Sequence, residues 1–136
     1  MHRVTREFSF CYGHRLLNYD GKCRHLHGHN ARAVITLEAT QLDSRGMVVD
    51  FTDLKRVVGA WIDQTLDHKM LLHRDDPALP FFRQLGEPVV ILEVNPTAEN
   101  IARLIFDHVA KERFPVVEVQ LWETDNCFAS YSPRPQ

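Results

Sequence analysis

The chain has 136 residues, a formal net charge of −2 and three cysteines. That length suits one domain that buries its own core, and the ordinary apolar and charged fractions exclude a disordered chain. A near-neutral charge speaks against a general nucleic-acid or anionic-membrane surface. The odd cysteine count speaks against a disulfide framework, and no apolar run approaches membrane-spanning length.

The opening residues, Met1 to Phe8, have no signal-peptide-like apolar core, so a reducing cytoplasm is the expected location. Over 4–14 the even positions read Val4, Arg6, Phe8, Phe10, Tyr12 and His14, one mostly apolar strand face ending in a histidine. Residues 15–24 are turn-like. A second strand is expected over about 25–40, its odd positions running His25, His27, His29, Ala31, Ala33, Ile35 and Leu37. Asp50 then suits the N-cap of a helix with Phe51, Leu54, Val57, Val58, Trp61, Ile62 and Thr65 on one face. Residues 69–88, with three prolines, read as a long loop, and 89–93 as a short strand. A second helix starts after Asn95-Pro96, and 116–131 read as a hairpin turning at Asp125-Asn126. The pattern predicts a single α+β domain over 1–136: an antiparallel four-stranded sheet with two helices on one face.

Four of the eight histidines lie between Cys11 and Asn30. In His27-Gly28-His29 alternate residues point the same way, so two imidazoles converge, and His14 ends the neighbouring strand on its inward face. Three neutral imidazoles suit zinc and leave its fourth position open for catalysis. His25 competes with His14 as the third ligand if the strand is regular that far. Cys23 is open to three readings: a fourth ligand closing a structural site, a thiolate base beside the metal, or an inert buried thiol. Asp67-His68 joins a carboxylate to an imidazole at a helix end, where both a tautomer-fixing and a purely structural reading stand. Glu123 falls on the apolar face of its strand and needs a partner, such as a ligand edge with two parallel N–H donors, unless it reaches solvent.

Six ordered segments then stand out. They are Phe10-x3-His14-Arg15-Leu16, Gly21-Lys22-Cys23-x3-His27-Gly28-His29-Asn30, Gly46-Met47-Val48-x-Asp50-Phe51, Leu66-Asp67-His68, Pro96-Thr97-Ala98-Glu99-Asn100 and Glu123-Thr124. Together they resemble the 6-pyruvoyl-tetrahydropterin synthase superfamily over nearly the whole chain. The short Cys-x3-His-Gly-His spacing is similar to its queuosine-pathway branch, the 6-carboxy-5,6,7,8-tetrahydropterin synthases.

The resemblance implies the tunnelling fold, whose strands join those of neighbouring subunits into a trimeric barrel, two of which stack as a hexamer with active sites between subunits. It implies one Zn2+ per subunit on His14, His27 and His29. It implies Cys23 as catalytic base, Asp67 and His68 completing the proton-transfer set, and Glu123 anchoring the pterin, with Thr97 and Glu99 at other pterin contacts. The implied reaction converts 7,8-dihydroneopterin triphosphate to 6-carboxy-5,6,7,8-tetrahydropterin, acetaldehyde and triphosphate, without nicotinamide, nucleic-acid or membrane partners. Lys22, Arg24 and Lys69 are candidates for phosphate contact. Alternatives are 6-pyruvoyl-tetrahydropterin synthesis and, in another class, a non-catalytic protein with structural zinc. A folate-pathway role fits less well, because that branch carries a glutamate where Cys23 stands. One departure is Cys11-Tyr12-Gly13 where the family carries small residues, with Gly13 permitting a bulge that would rotate His14.

Overall fold

Inward alternation makes the first two strands, and their pairing frames everything else. In the computed structural model, which describes residues 1–133, β1 (His2–His14) and β2 (His27–Ala39) pair antiparallel in unbroken register from His2↔Ala39 to His14↔His27. Phe10, Tyr12, Ala31, Ala33, Ile35 and Leu37 face the core, and the same face ends in the histidines. β2 starts at His27, so His25 lies outside the regular strand. No register shift interrupts β1 and β2, so Gly13 makes no bulge among the described residues.

Two helical segments cover that face. α1 (Phe51–Leu54), a π-helical stretch (Lys55–Gly59) and α2 (Ala60–Thr65) follow one another directly. Asp50 caps the start by accepting the Thr52 N–H at 2.8 Å. Leu54, Val58, Ile62 and Leu66 are fully buried, whereas Phe51, at the first turn, is exposed. α4 (Ala98–Lys111) buries Ile101, Ala102, Ile105, Phe106 and Val109. Trp61 stacks flat on His108 at 4.0 Å, joining α2 to α4 beside the shared core.

Residues 69–88 differ from expectation. They hold β3 (Lys69–His73) and a short helix α3 (Leu79–Leu85) rather than one long loop. The prolines are compatible with both: Pro80 sits in the first turn of α3, where no N–H is missed, and Pro88 precedes β4 (Val89–Leu92) with its carbonyl accepting from Met70. β3 pairs parallel with β1 and with β4, while β2, β5 (Val116–Thr124) and β6 (Cys127–Tyr131) pair antiparallel. The expected four-stranded antiparallel sheet is therefore a six-stranded mixed sheet, ordered β4-β3-β1-β2-β5-β6. The expected 116–131 hairpin is present, with Asp125-Asn126 at its turn. The last three residues of the 1–136 span lie outside the described residues.

Candidate metal centre

His14 and His27 are cross-strand partners, and His29 sits two residues on, opposite Tyr12. This register brings three ring nitrogens together: His14 Nε2 lies 3.0 Å from His27 Nε2 and 3.1 Å from His29 Nε2. Two rings are held from behind. His14 Nδ1 donates to the Pro96 carbonyl at 2.6 Å, and His27 Nδ1 to the His25 carbonyl at 2.7 Å. A carbonyl only accepts, so both rings carry the proton on Nδ1 and present the Nε2 lone pair to the centre. Burial, helped by His27 and His29 and opposed by the Pro96 carbonyl, lowers the His14 pKa to about 4. Burial also lowers that of His29, against the pull of Glu123. Both are neutral at physiological pH, the form a metal requires.

These three residues group as a site able to hold a metal ion. Nitrogens bound tetrahedrally to zinc at about 2.0–2.1 Å stand about 3.3 Å apart. The observed spacings come within a few tenths of an ångström of that, so the donor set fits. His25 is not among the converging side chains: its exposed ring accepts from Arg24 Nε, and only its carbonyl serves the site. Cys23 is also outside the grouping of ligand atoms. It lies half-buried in a 3-10 turn (Lys22–Arg24), tied to the segment just after β1 by the Leu16 N–H donating to its carbonyl.

Glu123 reaches the same face, and its Oε2 lies 2.8 Å from His29 Nε2. The partner its apolar position demands is thus a histidine of the trio, with one-fifth of the carboxylate side chain left exposed. Thr97 adjoins Pro96 and caps α4, its Oγ1 accepting the Asn100 N–H at 3.2 Å; Glu99 is exposed in the first turn. Asn95 braces this corner by pairing with both the N–H and the carbonyl of Leu17.

Asp67 and His68 form a second group, with Cys11 rather than with Cys23. Asp67 Oδ1 accepts the Cys11 N–H at 2.9 Å, the His68 N–H donates to the Cys11 carbonyl at 2.7 Å, and Asp67 Oδ2 meets His68 Nδ1 at 2.8 Å. Burial raises the Asp67 carboxyl, but the Cys11 N–H and the His68 ring outweigh it and hold it below its usual range. His68 adopts a left-handed φ of 58°, uncommon outside glycine and often found at functional sites. Cys11 alternates with Tyr12 and His14, so this group faces the opposite side of the sheet from the trio. A cleft of about 610 Å³ runs there past Cys11, Gly28, Asn30, His68 and Lys69, and borders His27 and His29. Lys69 reaches the Asp67 carbonyl, whereas Lys22 and Arg24 are exposed on the 3-10 turn. Cys11 was not among the residues singled out from the sequence; its only signal was outward parity on β1.

The model of the family described as 6-pyruvoyl tetrahydropterin synthase matches residues 3–134. The chain belongs to that family. It is 37% identical to a protein of Rickettsia bellii named 6-carboxy-5,6,7,8-tetrahydropterin synthase, over 94% of this chain and 98% of that one. It is 34% identical to the human protein named 6-pyruvoyl tetrahydrobiopterin synthase, over 95% and 90%. Among solved structures, an uncharacterized protein from Wolinella succinogenes superposes with a TM-score of 0.82 at 28% identity, covering 98% of both chains. The 6-pyruvoyl tetrahydropterin synthase of Caenorhabditis elegans shares the fold, with a TM-score of 0.72 at 24% identity over 98% and 96%. The resemblance read from the six segments is borne out, and family membership makes this a pterin-processing chain. No helix among the described residues is long and apolar enough to cross a membrane.

Proposed function

We propose that this chain is a zinc-dependent lyase that converts 7,8-dihydroneopterin triphosphate to 6-carboxy-5,6,7,8-tetrahydropterin, acetaldehyde and triphosphate in queuosine (7-deazapurine) biosynthesis. The observation that carries the reading is the convergence of the His14, His27 and His29 ring nitrogens, two of the rings locked by backbone carbonyls. Zinc, when bound there, supplies a Lewis acid for the oxygens of the substrate side chain.

The chain's own residues do the rest. Glu123 binds the amino-pyrimidine edge of the pterin through two parallel hydrogen bonds and fixes the ring relative to the trio. Thr97 and Glu99, beside the Pro96 carbonyl that holds His14, contact the same ligand. Cys23, as a thiolate, removes a proton from the side chain. His68, oriented by Asp67, carries protons to and from the side-chain hydroxyls. Asp67 and His68 face away from the trio of their own subunit, which supports an active site shared between subunits. Edge strands β4 and β6 leave Ile91 and Phe128 exposed, supporting closure of the sheet by neighbouring copies into a trimer and, by stacking, a hexamer. The whole chain acts as one domain, in the cytoplasm.

A second reading, 6-pyruvoyl-tetrahydropterin synthesis, uses the same site without cleaving the side chain and is favoured by the human relative. Incubating zinc-loaded protein anaerobically with 7,8-dihydroneopterin triphosphate, with products identified by mass, separates the two. The carboxy product with acetaldehyde is expected. A pyruvoyl product moves the chain to the other branch, and no turnover by folded, zinc-replete protein refutes the substrate.

A further inference from the structure

Tyr12 stands between the core and the trio on the inward face of β1, 3% exposed. Its ring is edge-on to His14 with centroids 5.0 Å apart and tilted against His29 at 5.7 Å. Two residues back along the same face, Phe10 fills the neighbouring space with a plain ring, 5.7 Å from Tyr12. The face therefore accepts a phenyl group, and packing does not call for the hydroxyl. Yet the Tyr12 hydroxyl is buried, with no hydrogen-bond partner among the described residues. Buried hydroxyls are almost always partnered, and each exception needs an explanation. A phenol carries its proton at neutral pH, so the hydroxyl is available as a donor. Glu123 itself already meets His29.

We propose that the Tyr12 hydroxyl donates a hydrogen bond to an oxygen of the hydroxylated side chain of the pterin substrate at the His14–His27–His29 site. This rests on the functional reading above and adds to it a specificity-determining residue. The pterin ring edge falls to Glu123, while Tyr12 packs on two of the histidines over which the side chain lies. A site built to pair with a substrate oxygen discriminates strongly against a ligand lacking it, because its buried polar group is then left alone.

The test uses Tyr12→Phe, which keeps the ring and deletes one oxygen. Neopterin, which carries the hydroxylated side chain, and 6-methylpterin, which lacks it, are titrated into zinc-loaded wild type and variant by fluorescence, with zinc content and thermal unfolding measured alongside. The expected result is unchanged zinc, an unchanged or raised Tm, about tenfold weaker neopterin binding and unaltered 6-methylpterin binding, the worth of one hydrogen bond. Equal affinity for neopterin in both proteins overturns the proposal, as does an equal loss for both ligands. A clear fall in Tm assigns the hydroxyl a structural partner and overturns it too. A wild type that binds neither pterin removes the functional reading itself, and the donor with it.

Discussion

Replacing Asp76 with alanine tests how the end of β1 is held. Asp76 lies between β3 and α3 with its side chain fully buried. Arg15, the residue after His14, donates Nε to Oδ2 at 2.8 Å and Nη2 to Oδ1, and the Ala78 N–H donates to Oδ1 at 2.8 Å. Breaking a buried pair strands the remaining charge, at a cost of about 3–5 kcal/mol. Arg15 keeps 23% of its side chain exposed, so water screens part of the loss and the lower figure, about 3 kcal/mol, applies. For a chain of this size that is a fall of about 10 °C in Tm. The pH dependence has a definite sign. Burial alone would raise the Asp76 carboxyl, but Arg15 and the Ala78 N–H hold it below its ordinary value of 3.8. The unfolded chain therefore takes up protons first as pH falls. The stabilisation is full above 3.8 and disappears on acidification through the folded value, so the variant has a flatter acid limb. Urea unfolding of wild type and variant from pH 7 downward measures both effects. A loss under about 1 kcal/mol at pH 7, or acid limbs of equal slope, refutes the reasoning.

Three further substitutions follow from the same geometry. Gly28→Ala would place a Cβ 2.9 Å from the Tyr12 carbonyl, an overpacking cost of about 1–3 kcal/mol that shifts His27 and His29. Zinc affinity, read by chelator competition, should fall at least about tenfold. Thr97→Ala removes the α4 cap and should cost about 1 kcal/mol in chemical denaturation, with Thr97→Ser restoring it. Cys23→Ala should keep its zinc and its Tm but lose turnover; loss of zinc and stability together, measured by metal analysis and calorimetry, would instead support a structural site.

The legible parts of the sequence were those with a clean period. Alternation through Phe8, Phe10, Tyr12 and His14, and through His27, His29, Ala31 and Ala33, places the trio on one buried face. The helical spacing of Leu54, Val58 and Ile62 places its cover. β3 was not legible, because Lys69-Met70-Leu71-Leu72-His73 has no alternation and its sheet neighbours are parallel strands, β1 distant in sequence and β4 reached through α3. Asp67-His68 was seen as a unit but not its contact with Cys11, which depends on the pairing of β1 with β3. The Arg15–Asp76 pair was missed for a similar reason: 61 residues separate its members. Glu123 was read as needing a partner unless it reached solvent, and only the placement of β5 beside β2 brings His29 within reach.

The unbroken pairing of β1 with β2 has one more effect. The same run of partners, from His2↔Ala39 to His14↔His27, sets both which residues are greasy neighbours and which nitrogens converge. Sliding either strand by one residue would turn its whole inward set to the other side, histidines and core together. A chain paired out of register does not bring the three ring nitrogens together, so an ion held by all three would report a central hairpin in the correct frame.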